Sequence, residues 1–341
     1  GLADHPKVIE AVNAAVNKYG SGCTGSRFLN GTLDIHVKLE QELAEFIRKD
    51  SALVFSTGFQ TNLGTISTLV SKDDVVIGDR ANHASIVDGC RLAFGEFKKY
   101  KHNDMDDLER VLQKSDGVRG KLIATDGVFS MEGDIANLPK ITELAEKYKA
   151  RLMVDDAHSI GVLGENGRGT AEHFHVEEKT DIIMGTFSKS FASLGGFIAG
   201  DDEVIHFVKH HARALIFSAS PPPAAVAAVR ATLKVLIAEP ERRERLWEIT
   251  KKMHSEFKSM GFDTGLTQTP IIPIIIGEDM KTFAFWKSLT EAGLFTNPII
   301  SPAVPPGRAL IRTSYTATHT NEQLDRVLQV FYDVGKKFGI I

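Results

Sequence analysis

The 341-residue chain has only two cysteines, Cys23 and Cys90, too few for a disulfide framework or a four-cysteine zinc site. That scarcity suits a reducing compartment, and a cytoplasmic location is expected. Long hydrophobic runs are also missing. The longest apolar stretch, Pro270 to Ile276, is interrupted by Pro273 and falls far short of the roughly 18 to 20 residues that span a bilayer. No transmembrane segment is therefore expected, although the sequence leaves room for peripheral membrane contact. No signal peptide opens the chain, and a first residue of Gly1 rather than Met leads us to expect further residues upstream. Charge of one sign is lacking as well. Lys+Arg 40 against Asp+Glu 44 gives a formal net charge of −4, which argues against a nucleic-acid partner held by phosphate contacts. With 43% hydrophobic and 25% charged residues the chain is not disordered, and its length predicts two domains or one large domain with an appendage.

The chain opens with an amphipathic helix, with Val8, Val12, Ala15, Val16 and Tyr19 on one face and Gly20 ending it. Residues 20–31 then hold four glycines, which suits a loop whose backbone closely approaches something. A second helix is expected from His36 to Ile47. From residue 52 to about 200, short apolar runs alternate with helical patterns: Ala52–Phe55, Val75–Ile77, Lys121–Thr125, Leu152–Val154, Ile182–Met184 and Gly196–Ala199. That alternation predicts an α/β fold with a mostly parallel sheet. Several runs end on polar residues, among them Asp79, Asp126, Asp155 and Thr186, and ligands in open α/β sheets collect beyond the carboxyl ends of strands. A long helical stretch from Pro222 to Met260 carries a polar cluster at 239–245, a break or a solvated face. A smaller C-terminal α+β unit follows, with strands at Thr269–Gly277 and Ala309–Ser314 and helices at Met280–Ala292 and Asn321–Phe338. We divide the chain into an N-terminal helix and glycine-rich loop (1–35), a large α/β domain (36–225) and a long helix with a smaller C-terminal domain (226–341).

Three segments carry chemistry. Lys189 stands just past an apolar run among Ser188, Ser190 and glycines, where a desolvated lysine could form a Schiff base with an aldehyde cofactor. Asp155, Asp156 and His158 follow directly on Leu152–Val154; a carboxylate there could keep a pyridine ring nitrogen protonated. Val54 to Asn62 runs from a strand through Ser56, Thr57 and Gly58 into a helix, whose first N–H groups make an anion site. His83, in a loop after the second strand, could lie flat on an aromatic ring. Alone, each segment also reads as an ordinary loop. A metal-site reading of His206, His210 and His211 has helical spacing but lacks a third ligand or a glutamate base, so no metal is expected.

Taken together, Asp-x-x-His at 155–158, Gly-Thr-x-x-Lys at 185–189, Gly-Phe at 58–59 and His83 resemble the fold-type-I pyridoxal phosphate enzymes, and within them the α-oxoamine synthases. The resemblance covers essentially the whole chain. It implies pyridoxal 5'-phosphate as cofactor, with Lys189 as its covalent anchor and proton carrier, Asp155 at the pyridinium nitrogen, His158 and Ser130 near the ring oxygen, and His83 stacked on the ring. Gly58, Phe59 and Thr186 would hold the phosphate, and Ser218 or Ser220 would reach in from the second subunit of a homodimer with shared active sites. Arg312 would bind the amino-acid carboxylate, with Arg27 and Asn30 as further substrate-binding residues. Residues 295–300 lack an arginine that some family members carry there, which puts more weight on Arg312.

The versions Gly-Thr-Phe-Ser-Lys-Ser-Phe-Ala-Ser-Leu-Gly-Gly at 185–196, Gly-Ser-Arg-Phe-Leu-Asn-Gly-Thr at 25–32 and Ser-Pro-Ala-Val-Pro at 301–305 look most like the branch that condenses L-serine with palmitoyl-CoA. Related branches usually place Gly where Ser188 stands. The implied reaction is a decarboxylative condensation giving 3-ketodihydrosphingosine, coenzyme A and carbon dioxide. The alternatives are a sister synthase using glycine with acetyl-CoA, or alanine with a dicarboxylic acyl thioester, and a non-catalytic partner subunit, against which Lys189, Asp155 and His158 argue.

Overall fold

The apolar runs assemble into one seven-stranded sheet in a computed structural model that describes all residues, 1–341. Its strands are β1 (Ser51–Phe55), β2 (Asp74–Asp79), β3 (Glu96–Tyr100), β4 (Gly120–Asp126), β5 (Arg151–Asp155), β6 (Ile182–Thr186) and β7 (Gly196–Gly200), in the order β1-β7-β6-β5-β4-β2-β3. The run from β6 through β5, β4 and β2 to β3 is parallel, whereas β7 lies antiparallel to both β1 and β6. Parallel strands need crossovers that cover both sheet faces, which is why these strands read as nearly continuous apolar runs. The crossovers and flanks are α1 (Pro6–Tyr19), α2 (Asp34–Ile47), α3 (Gly58–Leu69), α4 (Ala84–Leu92), α5 (Met105–Gln113), α6 (Leu138–Tyr148), α7 (Thr170–His173), α8 (Asp202–His211), α9 (Arg213–Ile216) and α10 (Pro223–Ala238). One core cluster joins Leu53, Phe55, Val76, Met184 and Ile198 of the sheet to Ile66, Ile86, Ile205 and Val208 of the helices on that face.

Strand β3 was absent from the expected set. It is an edge strand whose Glu96 and Lys99 are exposed, so it shows no apolar run for the sequence to reveal. The first helix ends at Gly20 as expected, with φ +81 and its N–H bonded to the Val16 carbonyl. The long helical stretch divides at Glu239-Pro240, because proline lacks the N–H that would continue the helix.

The chain falls into two units, Gly1–Val128 with Ala136–Glu239, and Phe129–Ile135 with Pro240–Ile341. The division falls at Pro240 rather than at residue 226, because α10 packs against α1 and belongs with the larger unit. The second unit contains α11 (Glu241–Met260), β8 (Ile271–Gly277), α12 (Asp279–Glu291), β9 (Asn297–Ile299), β10 (Ala309–Ser314) and α13 (Asn321–Lys337). Its antiparallel sheet has the order β8-β10-β9, and Phe257, Phe262, Phe285 and Phe331 form the aromatic centre of its core.

Candidate active site

Four parallel strands of the large sheet, β2, β4, β5 and β6, end on Asp79, Asp126, Asp155 and Thr186, so their carboxyl ends carry a row of polar side chains. Asp155 is 4% exposed, and both of its oxygens are occupied. Oδ1 accepts the Ala157 backbone N–H at 2.9 Å, and Oδ2 accepts Asn62 Nδ2 at 2.6 Å. A carboxylate can only accept, so the amide of Asn62 must turn its NH2 toward it. The same NH2 reaches Ser85 Oγ at 2.9 Å, and Ser85 Oγ lies 2.7 Å from His83 Nδ1. The backbone N–H of His83 is in turn held by Asp126 Oδ2 at 2.7 Å.

These contacts shape the local titration. Burial raises the Asp126 carboxyl well above its usual range, and the charge of Asp155 raises it further, against the His83 N–H and Lys189, which lower it. Part of the His83 ring is open to solvent, yet desolvation of the rest lowers its pKa. Asp155 opposes that shift and Lys189 adds to it. Asp155 and Lys189 thus act electrostatically, with opposite sign, on both His83 and Asp126. Lys189 lies in the turn between β6 and β7, with its carbonyl accepting the Ala192 N–H, and its side chain is exposed. The desolvation expected of this lysine is therefore not supplied by the chain alone. His158 is half-buried three residues beyond Asp155.

Helix α3 starts where β1 ends. Thr57 caps it by accepting the Gln60 N–H at 3.1 Å, which leaves the first-turn N–H groups of Gly58 and Phe59 outside the intrahelical ladder. Thr186 lies against this turn: a Cβ on Gly58 would come within 2.7 Å of Thr186 Oγ1. Thr186 Oγ1 is 3.0 Å from Ser188 Oγ, so two hydroxyls flank the helix start, and Gln60 Nε2 donates to Ser218 Oγ at 3.0 Å beside it. An anion-ready helix N-terminus, a tight glycine cradle, a buried carboxylate and an exposed lysine are the donor set that a phosphorylated pyridine aldehyde requires. The buried Asn62 Oδ1, which has no hydrogen-bond partner, lies in the same polar cluster.

Two of the expected ligands are engaged within the chain. Arg27 is 8% exposed and forms a two-pronged pair with Glu40 at 2.8 and 2.9 Å, while its Nε donates to Thr32. It clamps the glycine-rich segment onto α2, and such a buried pair costs about 3 to 5 kcal/mol to break by removing one partner. Ser220 Oγ donates to the Gly31 carbonyl at 2.6 Å and its N–H to the Gly25 carbonyl, so within one chain its hydroxyl also holds this loop. Asn30 is exposed and bonds the Cys23 carbonyl at 3.2 Å within the same loop. Loop composition does not show which way such side chains turn.

In the second unit, Arg312 Nε donates to the Ser130 carbonyl at 2.7 Å, and no carboxylate pairs with the guanidinium. Desolvation lowers its pKa, so it is a partly buried cation without a counter-ion. The reading of the sequence marked Asp126 only as a polar strand end and gave no role to Asn62 or Ser85. The signal that could have marked these two is a polar residue on the inward face of a helix.

The profile described as aminotransferase class I and II matches residues 1–331. A serine palmitoyltransferase of Sphingobacterium spiritivorum is 52% identical over 340 residues, covering 100% of this chain and 85% of that protein. An 8-amino-7-oxononanoate synthase of Thermoanaerobacter pseudethanolicus is 48% identical over 342 residues, covering 100% of this chain and 87% of that protein. Among solved structures, serine palmitoyltransferase with a pyridoxal phosphate internal aldimine superposes with a TM-score of 0.98 at 39% identity, covering 100% of this chain and 86% of that one.

Proposed function

From a chain that belongs to the class I and II aminotransferase family, as an α-oxoamine synthase relative of serine palmitoyltransferase, we infer a pyridoxal phosphate-dependent acyltransferase that condenses L-serine with a long-chain acyl-CoA. The observation that carries the cofactor chemistry is Asp155, buried at the end of β5, held by Asn62 and acting electrostatically on His83, on which Lys189 also acts. When bound, pyridoxal phosphate supplies an electron sink for negative charge at the substrate α-carbon. Asp155 keeps the ring nitrogen protonated, and His83 covers one ring face. His158 serves the ring oxygen. The N–H groups of Gly58 and Phe59 and the Thr186 hydroxyl take the phosphate, with Ser218 beside them. Lys189 Nζ anchors the cofactor, removes the proton from the α-carbon and later returns one. Arg312, a cation without a carboxylate partner, suits an amino-acid carboxylate.

The choice of L-serine and palmitoyl-CoA rests on the 52% identity to serine palmitoyltransferase and on Ser188, whose hydroxyl lies 3.0 Å from Thr186 Oγ1. The product is then 3-ketodihydrosphingosine, the entry to sphingolipid synthesis, and a homodimer is the expected working form. A second reading, L-alanine with a dicarboxylic acyl thioester, is favoured by the 48% identity to 8-amino-7-oxononanoate synthase. Titrating the pyridoxal phosphate-loaded chain with L-serine, glycine and L-alanine while following visible absorbance separates them. A serine-selective change, followed by thiol release from palmitoyl-CoA, is expected. An alanine-selective change with release from a dicarboxylic acyl thioester would replace the first reading by the second.

A further inference from the structure

The ring-stacking histidine and the buried carboxylate meet in one short chain of hydrogen bonds. Asn62 Nδ2 donates to Asp155 Oδ2 at 2.6 Å and to Ser85 Oγ at 2.9 Å, and Ser85 Oγ lies 2.7 Å from His83 Nδ1. Asn62 and Ser85 are each 1% exposed, so water does not compete for these groups. The direction of every bond follows from chemistry. Asp155 accepts, so Asn62 presents its NH2, and that NH2 also donates to Ser85 Oγ. The Ser85 hydroxyl proton then has His83 Nδ1 as its acceptor. The Ser85 backbone N–H points at the same nitrogen at 3.3 Å. A proton on Nδ1 would face that N–H and strand the buried Ser85 hydroxyl without an acceptor, and both effects disfavour it.

We propose that Asn62 and Ser85 are positioning residues that fix His83 as the neutral, Nε2-protonated imidazole and tie its orientation to Asp155 through one shared amide. Of the charged groups around His83, Asp155 favours the protonated ring and Lys189 opposes it, and Asp126 is engaged with the His83 backbone N–H. The chemical use rests on the reading of the site given above. A neutral imidazole can lie over a protonated pyridine ring without the repulsion that an imidazolium would meet. The tautomer itself depends on no cofactor or substrate.

Long-range 1H–15N correlation spectra of the full chain labelled with 15N-histidine, recorded with and without pyridoxal phosphate, test this directly. His83 is assigned by the signals lost in His83→Asn. The expected result is an unprotonated, acceptor-type Nδ1 and a protonated Nε2 in both spectra from pH 6 to 8. Ser85→Ala should admit the other tautomer and raise the His83 protonation midpoint by about half to one pH unit, the size of one neutral hydrogen bond. Ser85→Thr should restore the original spectrum. Asn62→Ala, which does not touch His83, should move the same signals. A proton on Nδ1 in the unmodified chain would overturn the proposal without any variant, as would a Ser85→Ala spectrum identical to the original. Failure to bind pyridoxal phosphate would count against the proposed function alone, because the tautomer is read in its absence as well.

Discussion

Asp155 and Asp156 are adjacent in sequence, nearly equally buried, and face opposite sides of the sheet at the end of β5. Asp155 turns to α3 and the His83 loop, where its partners are Asn62 and the Ala157 N–H. Asp156 turns to α7, where Oδ1 accepts the Thr170 hydroxyl at 2.6 Å and Oδ2 the Thr170 N–H at 3.0 Å, with Ser159 Oγ 2.8 Å beyond. Glycines close in on Asp156: a Cβ on Gly127 or Gly169 would lie 2.2 or 2.3 Å from its oxygens. One carboxylate is therefore sealed into a structural turn, while the other is held in place beside an exposed lysine and a partly open histidine. Burial alone does not distinguish a site from a scaffold; what the partners leave accessible does.

Variants can break this contrast. Lys189→Ala should lower kcat/KM by a factor on the order of 10⁴ or more, since it removes anchor and proton carrier together. Its urea midpoint should stay unchanged, because the side chain is exposed. Asp155→Asn should lower kcat by about 10² to 10³, the scale of losing one preorganised electrostatic group, as measured by steady-state kinetics. The Asp156 side should respond in stability instead. Burial raises its carboxyl to about 6, against about 3.9 in an unfolded chain. Between those values the folded chain keeps a proton that the unfolded chain has released. Stability should therefore fall as pH rises from about 4 to about 6 and then level, by on the order of 3 kcal/mol. Asp156→Asn should flatten much of that slope in urea titrations across the window. Asp126, raised in the same direction, would leave a residual slope. Thr170→Val should have the smallest effect, about 1 to 2 kcal/mol of stability from the lost hydroxyl bond, with kcat/KM unchanged.

The sequence announced the Asp155 side because an apolar run that stops on a carboxylate marks the end of a buried parallel strand. The same rule exposed Asp126 and Thr186 as strand ends. It could not tell Asp155 from Asp156, since adjacent residues differ only in the face they take. It also missed β3, whose Glu96-Phe-Lys-Lys-Tyr100 pattern belongs to a sheet edge, and the antiparallel sense of β7, which no local pattern encodes. Asn62 looked like an ordinary polar helix residue, and Ser85 like part of the His83 loop. They are 23 positions apart and meet only because α3 and α4 pack together. Arg27 and Ser220 show the converse: in a glycine-rich loop, polar side chains that hold the loop itself are indistinguishable by type from those that face a ligand.

The central claim is a condensation that releases coenzyme A and the carboxyl carbon of serine together. The pyridoxal phosphate-loaded chain should be supplied with L-serine labelled with 13C at its carboxyl carbon and with palmitoyl-CoA, and free thiol and labelled carbon dioxide measured in the same reaction. The account predicts equal amounts of the two, both abolished by Lys189→Ala. Thiol release without labelled carbon dioxide, or neither product with serine and palmitoyl-CoA, would contradict it.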